Sequence, residues 1–364
     1  MRASTAPPDL DWTRLLREVS RSFYLTLRVL PSRVRIPIGL AYLLARATDT
    51  VADTEAIPAE FRLAALDQLR KAILSGGFSP DFSRFLDGLP PGHPGNPTAG
   101  ERALLAEMPR TLQWLGSMDP ADRERIRQVL EVITSGQILD VGRFGQATEK
   151  SIVALKTLSE LDDYTYRVAG CVGEFWTRIC RTHLFPDAPI SESALLEDGV
   201  RFGKGLQLVN ILRDLPKDLR LGRCYLPSEQ LMARSLVPGD LLDPAAYERL
   251  APLFGAALDR ARGHLDAGWR YTNSLPRRLV RIRLACAWPI LIGIDTLGRL
   301  RGVNPLEGSH RVKTPRAVVR GMIWQSVWRL AWPPAWNRLD RWAEARVKRS
   351  RESPFSKPPK QGME

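Results

Sequence analysis

The pattern of hydrophobic and polar positions along the chain predicts a protein built almost entirely of helices. Apolar residues recur at spacings of three and four, the period of a helix with one buried face, and proline or glycine separates the segments. Strand-like alternation is scarce, and its best example, residues 24–30 (YLTLRVL), lies within helical pattern. The predicted helices span residues 12–30, 36–53, 59–75, 101–116, 121–142, 160–184, 194–221, 245–273, 277–299 and 315–330.

The helical pattern favours a single domain. No convincing break interrupts it between residues 12 and 330, and 364 residues that are 44% hydrophobic can bury a large core. We expect a flexible N-terminus over residues 1–11, an exposed loop over the Pro- and Gly-rich segment 79–100, and a basic, Trp-containing C-terminal tail over 331–364.

The use of cysteine and histidine points to a reducing compartment. The four cysteines form no CxxC pair, and the four histidines share no ligand-like spacing, which disfavours both a zinc site and a disulfide framework. The N-terminus lacks the apolar core of a signal peptide, and the longest apolar runs, residues 36–45 and 284–294, are too short to span a bilayer. We therefore expect a cytoplasmic monomer, without transmembrane helices.

The positive charge is concentrated near the C-terminus. Residues 271–364 carry 19 Lys or Arg against 6 Asp or Glu, whereas residues 1–270 carry 34 of each. Within this region, tryptophans and arginines alternate over residues 321–342, a mixture suited to the headgroup layer of a membrane. Two interpretations stay open at this point: peripheral contact with an anionic membrane, and a helix packed on the domain with a solvated basic tail. Nucleic acid is disfavoured as a partner.

Two pairs of aspartates carry the candidate chemistry. They are the only two DxxxD spacings in the sequence, Asp49 with Asp53 and Asp214 with Asp218, and each lies at the C-terminal end of a predicted helix. A spacing of four places both carboxylates on one helix face, where like charges repel by roughly 0.2 to 0.5 kcal/mol. Carboxylates facing each other from two helices suit Mg²⁺, which takes oxygen ligands and keeps positions for water and phosphate. The alternative for each pair is a solvated helix end with a local salt bridge.

Polar side chains accompany both pairs. Arg46 lies one turn before Asp49, Arg213 is beside Asp214, and Gln207 and Asn210 share the helix stripe of the second pair. Arginine donates bidentate hydrogen bonds to phosphate oxygens, a geometry that lysine does not reproduce. The expected ligand is therefore a magnesium diphosphate.

Six stretches between Ser20 and Arg316 together match a known pattern. They are SRSF (20–23), YLLARATDTVAD (42–53), YTYRVAGCVG (164–173), QLVNILRDLPKDLRLGRCYLP (207–227) and, more loosely, WPILIGIDTL (288–297) and VKTPR (312–316). By these stretches the sequence resembles the squalene and phytoene synthase family of head-to-head prenyl transferases.

The resemblance implies an all-α isoprenoid-synthase fold around a central cavity. It implies that two farnesyl diphosphates condense through presqualene diphosphate, with Mg²⁺, to squalene, and that NADPH supplies the final hydride. DTVAD, SRSF and VKTPR resemble the squalene branch more than the phytoene branch. The alternatives are a phytoene, dehydrosqualene or presqualene diphosphate synthase without reduction, and a non-catalytic, membrane-associated member of the family. The last is disfavoured because all four aspartates remain.

The resemblance also implies roles for individual residues. The metal ligands would be Asp49, Asp53, Asn210, Asp214 and Asp218. The catalytic residues would be Tyr164, which transfers a proton near the diphosphate, Arg213, and Phe23, whose ring faces positive charge. Substrate would contact Ser20, Arg21, Ser22, Arg46, Gln207, Asn210 and Arg223. The NADPH phosphate would contact Arg21, Arg46, Lys313 and Arg316. The sequence contains no Gly-rich dinucleotide fingerprint, so for Lys313 and Arg316 ordinary surface charge is the alternative.

Two residues depart from the family pattern. Ala52 stands where squalene synthases often carry a glutamate, which leaves the first pair with one carboxylate fewer. Pro216 lies between the second pair of aspartates, where it removes the hydrogen bond to the Leu212 carbonyl. We therefore expect a kink or a helix end there, with Asp218 directed differently from Asp214.

Overall fold

Helices form nearly all of the described structure, as the sequence predicts. The computed structural model describes residues 10–20, 24–76, 82–93, 95–307 and 312–352. Its helices are α1 (Trp12–Val19), α2 (Tyr24–Val29), α3 (Ser32–Asp53), α4 (Ala59–Ser75), α5 (Ser83–Asp87), α6 (Ala99–Ala106), α7 (Met108–Ser117), α8 (Pro120–Phe144), α9 (Leu158–Thr165), α10 (Cys171–Leu184), α11 (Glu192–Arg220), α12 (Ser228–Met232), α13 (Tyr247–Ser274), α14 (Val280–Leu300), α15 (Arg316–Arg329), α16 (Pro333–Asn337) and α17 (Leu339–Glu352).

Strand structure is limited, within the described residues, to one small pairing. The strands β1 (Val153–Ala154) and β2 (Arg223–Cys224) run parallel, with Val153 opposite Arg223. The residues with the most strand-like alternation, 24–30, instead contribute helix α2, because Thr26 and Leu27 turn one face into the core. None of the described helices is long and apolar enough to cross a membrane.

Helices α3 and α11 form the framework of the molecule. Helix α3 packs against α4, α8 and α10, and buries residues along its whole length, including Leu43 and Leu44, which are fully enclosed. Helix α11 begins at Ser191, whose hydroxyl accepts a hydrogen bond from the Ala194 amide, and packs along α13. The C-terminal ends of α3 and α11 carry the two pairs of aspartates.

The helical run predicted over residues 160–184 contains a change of pitch. Helix α9 ends at Thr165, a π-helical turn spans Tyr166–Gly170, and α10 follows. A π turn widens the helix by one residue and is frequent at functional sites. Here the turn begins two residues after Tyr164, one of the predicted catalytic residues.

Glycines bring the backbones of α10, the π turn and α11 into direct contact. A Cβ atom on Gly173 would lie 1.9 Å from the Gly199 carbonyl oxygen, and one on Gly203 would lie 2.2 Å from the Ala169 carbonyl oxygen. Neither distance is physically possible, so these positions accept only glycine in this arrangement. The three elements therefore form one tightly packed wall.

The helix α11 continues through Pro216 to Arg220, so the expected helix end between Asp214 and Asp218 is wrong. Leu212, Leu215 and Leu219 are buried on both sides of the proline, and this packing holds the segment helical despite the lost hydrogen bond.

Residues 331–352, predicted as a tail, are packed on the domain as far as they are described. Trp336 is fully buried, stacks on Trp269 with ring centroids 5.5 Å apart, and donates from Nε1 to the Asn273 side-chain oxygen at 2.8 Å. Leu339 and Ala343 of α17 are buried against the same core. The sequence left packing on the domain as one of two open interpretations, because tryptophan next to arginine is equally compatible with burial and with a membrane surface.

Candidate active site

One cavity of about 770 Å³ lies between the C-terminal ends of α3 and α11. Its wall includes all four aspartates of the two DxxxD pairs, together with Tyr164, Gln207, Asn210 and Arg223. The loop before α6 also reaches it: His93 and residues 95–98 line the cavity, although the sequence prediction treated segment 79–100 as an exposed loop.

The first pair, Asp49 and Asp53, is held by α3 at one end of the cavity. Arg46, one turn earlier, donates to the carboxylates of both Asp49 and Glu101. About 39% of the Asp49 side chain is exposed, and Asp49 lines the cavity. Burial, together with the neighbouring Asp53 charge, raises the pKa of Asp49 to about 7. The pair therefore favours a bound cation, since a cation would offset the repulsion.

The second pair, Asp214 and Asp218, lies on α11. Arg213 donates from Nε to Asp214 Oδ1 at 3.0 Å, and Arg213 itself is not part of the cavity wall. Burial, followed by the Asp214 charge, raises the pKa of Asp218 to about 7. Both aspartates line the same cavity, which is the consequence of an unbroken helix through Pro216.

Three arginines bring positive charge to the cavity wall. Arg46 comes from α3, Arg62 from α4 and Arg223 from β2. Arg62 donates to the Ala52 carbonyl at 2.6 Å, and Arg223 donates to Glu55 at 2.8 Å. In each of the three, the buried Nε–H has no hydrogen-bond partner within the described part of the chain. Arginine guanidinium groups on a cavity wall are suited to phosphate oxygens, to which they donate charge-assisted hydrogen bonds.

Arg223 owes its position to the chain reversal after α11. Gly222, with φ of +77°, ends the helix in a conformation that favours glycine, and the chain then enters β2. A side chain at residue 222 would also collide with the Thr148 amide nitrogen, which lies 2.4 Å from the place that its Cβ atom would occupy. The turn therefore directs Arg223 back toward the aspartates of α11.

Tyr164 belongs to a buried polar network that forms part of the cavity wall. Its ring stacks on Tyr225 with centroids 4.8 Å apart, and the Tyr225 hydroxyl donates to Asp140 Oδ2 at 3.0 Å. Burial raises the pKa of Tyr164 well above its usual value, so the phenol keeps its proton. Burial also raises the pKa of Asp140 to about 6. The network can hold a proton close to an anionic ligand.

The donor set fits magnesium bound together with a ligand. Among the described residues, no group of three or more His, Cys, Asp or Glu side chains is close enough to hold a metal alone. Two carboxylates per site, with Asn210 nearby, leave coordination positions for water and phosphate oxygens, as Mg²⁺ normally requires. The three arginines of the cavity wall would bind the phosphate groups that the magnesium ions coordinate.

Comparison with known proteins decides the family. A family model described as squalene/phytoene synthase matches residues 16–318, most of the chain. The chain belongs to the squalene/phytoene synthase family. It is therefore related to prenyltransferases of isoprenoid biosynthesis, and the resemblance found in the sequence is confirmed.

Individual members of the squalene/phytoene synthase family differ in their products. The presqualene diphosphate synthase of Rhodopseudomonas palustris is 30% identical over 260 residues, covering 71% of this chain and 77% of that protein. The squalene synthase of Saccharomyces cerevisiae is 29% identical over 229 residues, covering 62% of this chain and 47% of that protein. A solved ligand complex of TcSQS is similar with a TM-score of 0.69 at 21% identity, covering 93% of this chain and 98% of that one, which supports the fold.

The residues predicted for the family site divide into three groups. The first group lines the cavity: Asp49, Asp53, Asp214, Asp218, Asn210, Gln207, Arg46, Arg223 and Tyr164. The second lies elsewhere: Arg213 is bonded to Asp214 outside the cavity wall, Ser20 is buried with its hydroxyl bonded to the Leu16 carbonyl, and Lys313 and Arg316 are exposed away from the wall. The third, Arg21, Ser22 and Phe23, lies outside the described residues.

Sequence reasoning missed several residues of the site. Arg62, Glu101 and Asp140 all face the cavity, yet none of them lies in a motif. The one signal that could have found Glu101 is the segment TAGE, a capping box in which Thr98 and Glu101 bond each other's backbone amides at the start of α6.

Proposed function

We propose that this protein joins two farnesyl diphosphates head to head, through presqualene diphosphate, and reduces the product with NADPH to squalene. The observation that carries the proposal is the convergence of two DxxxD pairs and three arginines on one cavity. The squalene branch is favoured by the sequence motifs DTVAD and VKTPR.

Each part of the cavity has a role in this reaction. Asp49, Asp53, Asp214 and Asp218, with Asn210, would hold Mg²⁺, which neutralises the leaving diphosphate when it is bound. Arg46, Arg62 and Arg223 would bind diphosphate oxygens, and Gln207 would contribute a hydrogen bond. Arg213 would act indirectly, because it fixes the carboxylate of Asp214.

The remaining wall would protect the allylic cation and control a proton. Ile133, Val141, Phe144, Val168 and Ile211 line the cavity with apolar surface, which keeps water from the cation. Tyr164, stacked on Tyr225, would transfer a proton near the diphosphate, and Asp140 would orient the second tyrosine.

A product assay tests the proposal. Purified protein is incubated with farnesyl diphosphate and Mg²⁺, with and without NADPH, and the lipid extract is analysed by mass spectrometry. We expect squalene only when NADPH is present. Asp49→Asn and Asp214→Asn should each abolish turnover while preserving the helical circular dichroism spectrum. Full turnover in either variant would refute an active site at this cavity.

A second candidate is a synthase that stops at presqualene diphosphate. Two relatives at 30% identity, from Rhodopseudomonas palustris and Sinorhizobium fredii, carry that name. Of the predicted NADPH contacts, Lys313 and Arg316 are exposed and lie away from the cavity wall. Under this alternative, presqualene diphosphate accumulates and NADPH changes nothing; a phytoene or dehydrosqualene synthase would release a hydrocarbon without NADPH.

The cellular location of the protein is part of the same proposal. We place the protein in the cytoplasm, a reducing compartment, because its four cysteines are all free and buried. A non-catalytic role is not favoured, since the four aspartates share one cavity.

A further inference from the structure

Three tryptophans form an exposed stripe at the C-terminal end of the domain. Trp324 and Trp328 lie four residues apart on one face of α15, and Trp332 follows in extended backbone, three residues after the helix ends at Arg329. Their exposed fractions are 74%, 80% and 65%. A large indole surface left in water is unfavourable, so a cluster of three indicates an interaction surface.

This surface is fixed, because the opposite face of α15 is packed. Met322 and Ser326 are buried, and the Ser326 hydroxyl accepts a hydrogen bond from Trp288 Nε1 at 3.0 Å. Arg329 lies over the ring of Trp342, 5.1 Å from its centroid, and connects α15 to α17. The stripe is thus presented by an anchored helix and is separate from Trp336 and Trp342, which face the protein.

The charged side chains of the chain segment that carries the stripe are all positive. The sequence from 312 to 339 contains five Lys or Arg and no Asp or Glu. Lys313, Arg316 and Arg320 are exposed, and the last two precede Trp324 at the same spacing of four. A second copy of the chain is a poor occupant, since a symmetric contact would bring these cations together. The occupant should be anionic and should accept indole rings.

We propose that Trp324, Trp328 and Trp332, with Lys313, Arg316 and Arg320, bind the surface of an anionic phospholipid bilayer. Indole rings occupy the boundary between headgroups and acyl chains, and arginine and lysine are attracted to anionic headgroups. A nucleic acid would supply phosphates but no apolar layer for three neighbouring indoles. The inference goes beyond the proposed reaction and does not depend on which product forms.

The test uses the full chain and two kinds of vesicle, phosphatidylcholine alone and phosphatidylcholine mixed equally with phosphatidylglycerol. We expect flotation with the mixed vesicles and quenching of tryptophan fluorescence when the acyl chains carry bromine. The triple variant Trp324→Ser, Trp328→Ser and Trp332→Ser should bind at least about tenfold more weakly. Each of Arg316→Gln and Arg320→Gln should weaken binding by about fivefold, and added salt should remove this difference.

A matched control lies on α4, which packs against α3 and α8. Phe61, 61% exposed, and the exposed Lys71 provide an apolar and a charged substitution, Phe61→Ser and Lys71→Gln, which should leave vesicle binding unchanged. Circular dichroism and thermal unfolding of every variant exclude misfolding. Equal vesicle binding by the folded triple variant would overturn the proposal. So would binding of single-stranded DNA instead of vesicles, or a tryptophan-dependent dimer.

Discussion

Glu101 connects the first aspartate pair to the loop that covers the cavity, and its replacement tests this connection. Its buried carboxylate accepts hydrogen bonds from the Thr98 amide at 2.8 Å and the Thr98 hydroxyl at 2.9 Å. The same carboxylate binds Arg46, which also holds Asp49. Loss of a capping interaction costs about 1 kcal/mol. A hydrogen bond to a charged group contributes about 1.5 to 3 kcal/mol.

We expect Glu101→Gln to lower the free energy of unfolding by about 2 kcal/mol and Glu101→Ala by about 3 kcal/mol. These values are below the simple sum because glutamine keeps some hydrogen bonds and Arg46 keeps Asp49 as a partner. Thermal or urea unfolding measures the change. Glu107→Gln is the control, since Glu107 forms an exposed pair with Arg110 at 3.0 Å, for which we expect less than about 1 kcal/mol.

The dependence on pH makes the prediction specific. Burial opposes ionisation of Glu101, but its bonds to Thr98 and Arg46 outweigh burial and hold the pKa of the carboxyl below its ordinary value. A lowered folded-state pKa stabilises the protein above the unfolded-state value, about 4.3 for glutamate, and the stabilisation is lost as the pH falls through the folded-state pKa. The difference between wild type and Glu101→Gln should therefore be constant near neutral pH and shrink below about pH 4. Equal effects of the Glu101 and Glu107 substitutions would refute this reasoning.

Two further substitutions probe the buried acids and the proline. Asp140→Asn should raise stability above pH 6 by about 1 kcal/mol or more while slowing turnover. Because the folded-state pKa of Asp140 is raised to about 6, ionisation of its carboxyl lowers the free energy of unfolding of the wild type progressively between about pH 4 and pH 6, and the loss persists at higher pH. Unfolding curves at pH 5 and pH 8 measure the difference between wild type and variant. A variant less stable than the wild type at pH 8 would contradict the prediction. Pro216→Ala should raise stability by about 1 kcal/mol or more, because it restores the hydrogen bond to the Leu212 carbonyl in a continuous helix; an unchanged unfolding midpoint would indicate that the helix relaxes locally.

The sequence was sufficient for features that depend on periodicity within one segment. Helices α3 and α11 follow from their apolar spacing, and the aspartate motifs at their ends are local. Contacts between residues far apart in the chain could not be predicted from the sequence. Glu101 binds Arg46 from 55 residues away, and Arg62 reaches the cavity only because α4 folds back along α3. Such contacts depend on helix packing, for which a single sequence carries little information.

Two other differences between the predicted and the observed structure arise where side-chain packing outweighs the local conformational preference of the residues. The proline in α11 and the strand-like residues 24–30 both adopt helical structure because neighbouring side chains are buried there. The C-terminal tryptophans could not be sorted from sequence, because the buried Trp336 and the exposed Trp332 lie in the same residue pattern and differ only in what surrounds them.

The glycine contacts between α10, the π turn and α11 limit how the cavity can change, since the π turn and α11 both contribute residues to its wall. Where backbone touches backbone at Gly173 and Gly203, no side chain can be shortened or lengthened to move that wall. The opposite wall is formed by ordinary side chains of α8, among them Ile133, Val141 and Phe144. Any adaptation of the cavity to a longer or shorter prenyl chain must therefore come from its lining side chains, those of α8 together with Val168 and Ile211, and not from a change in the spacing of α10, the π turn and α11.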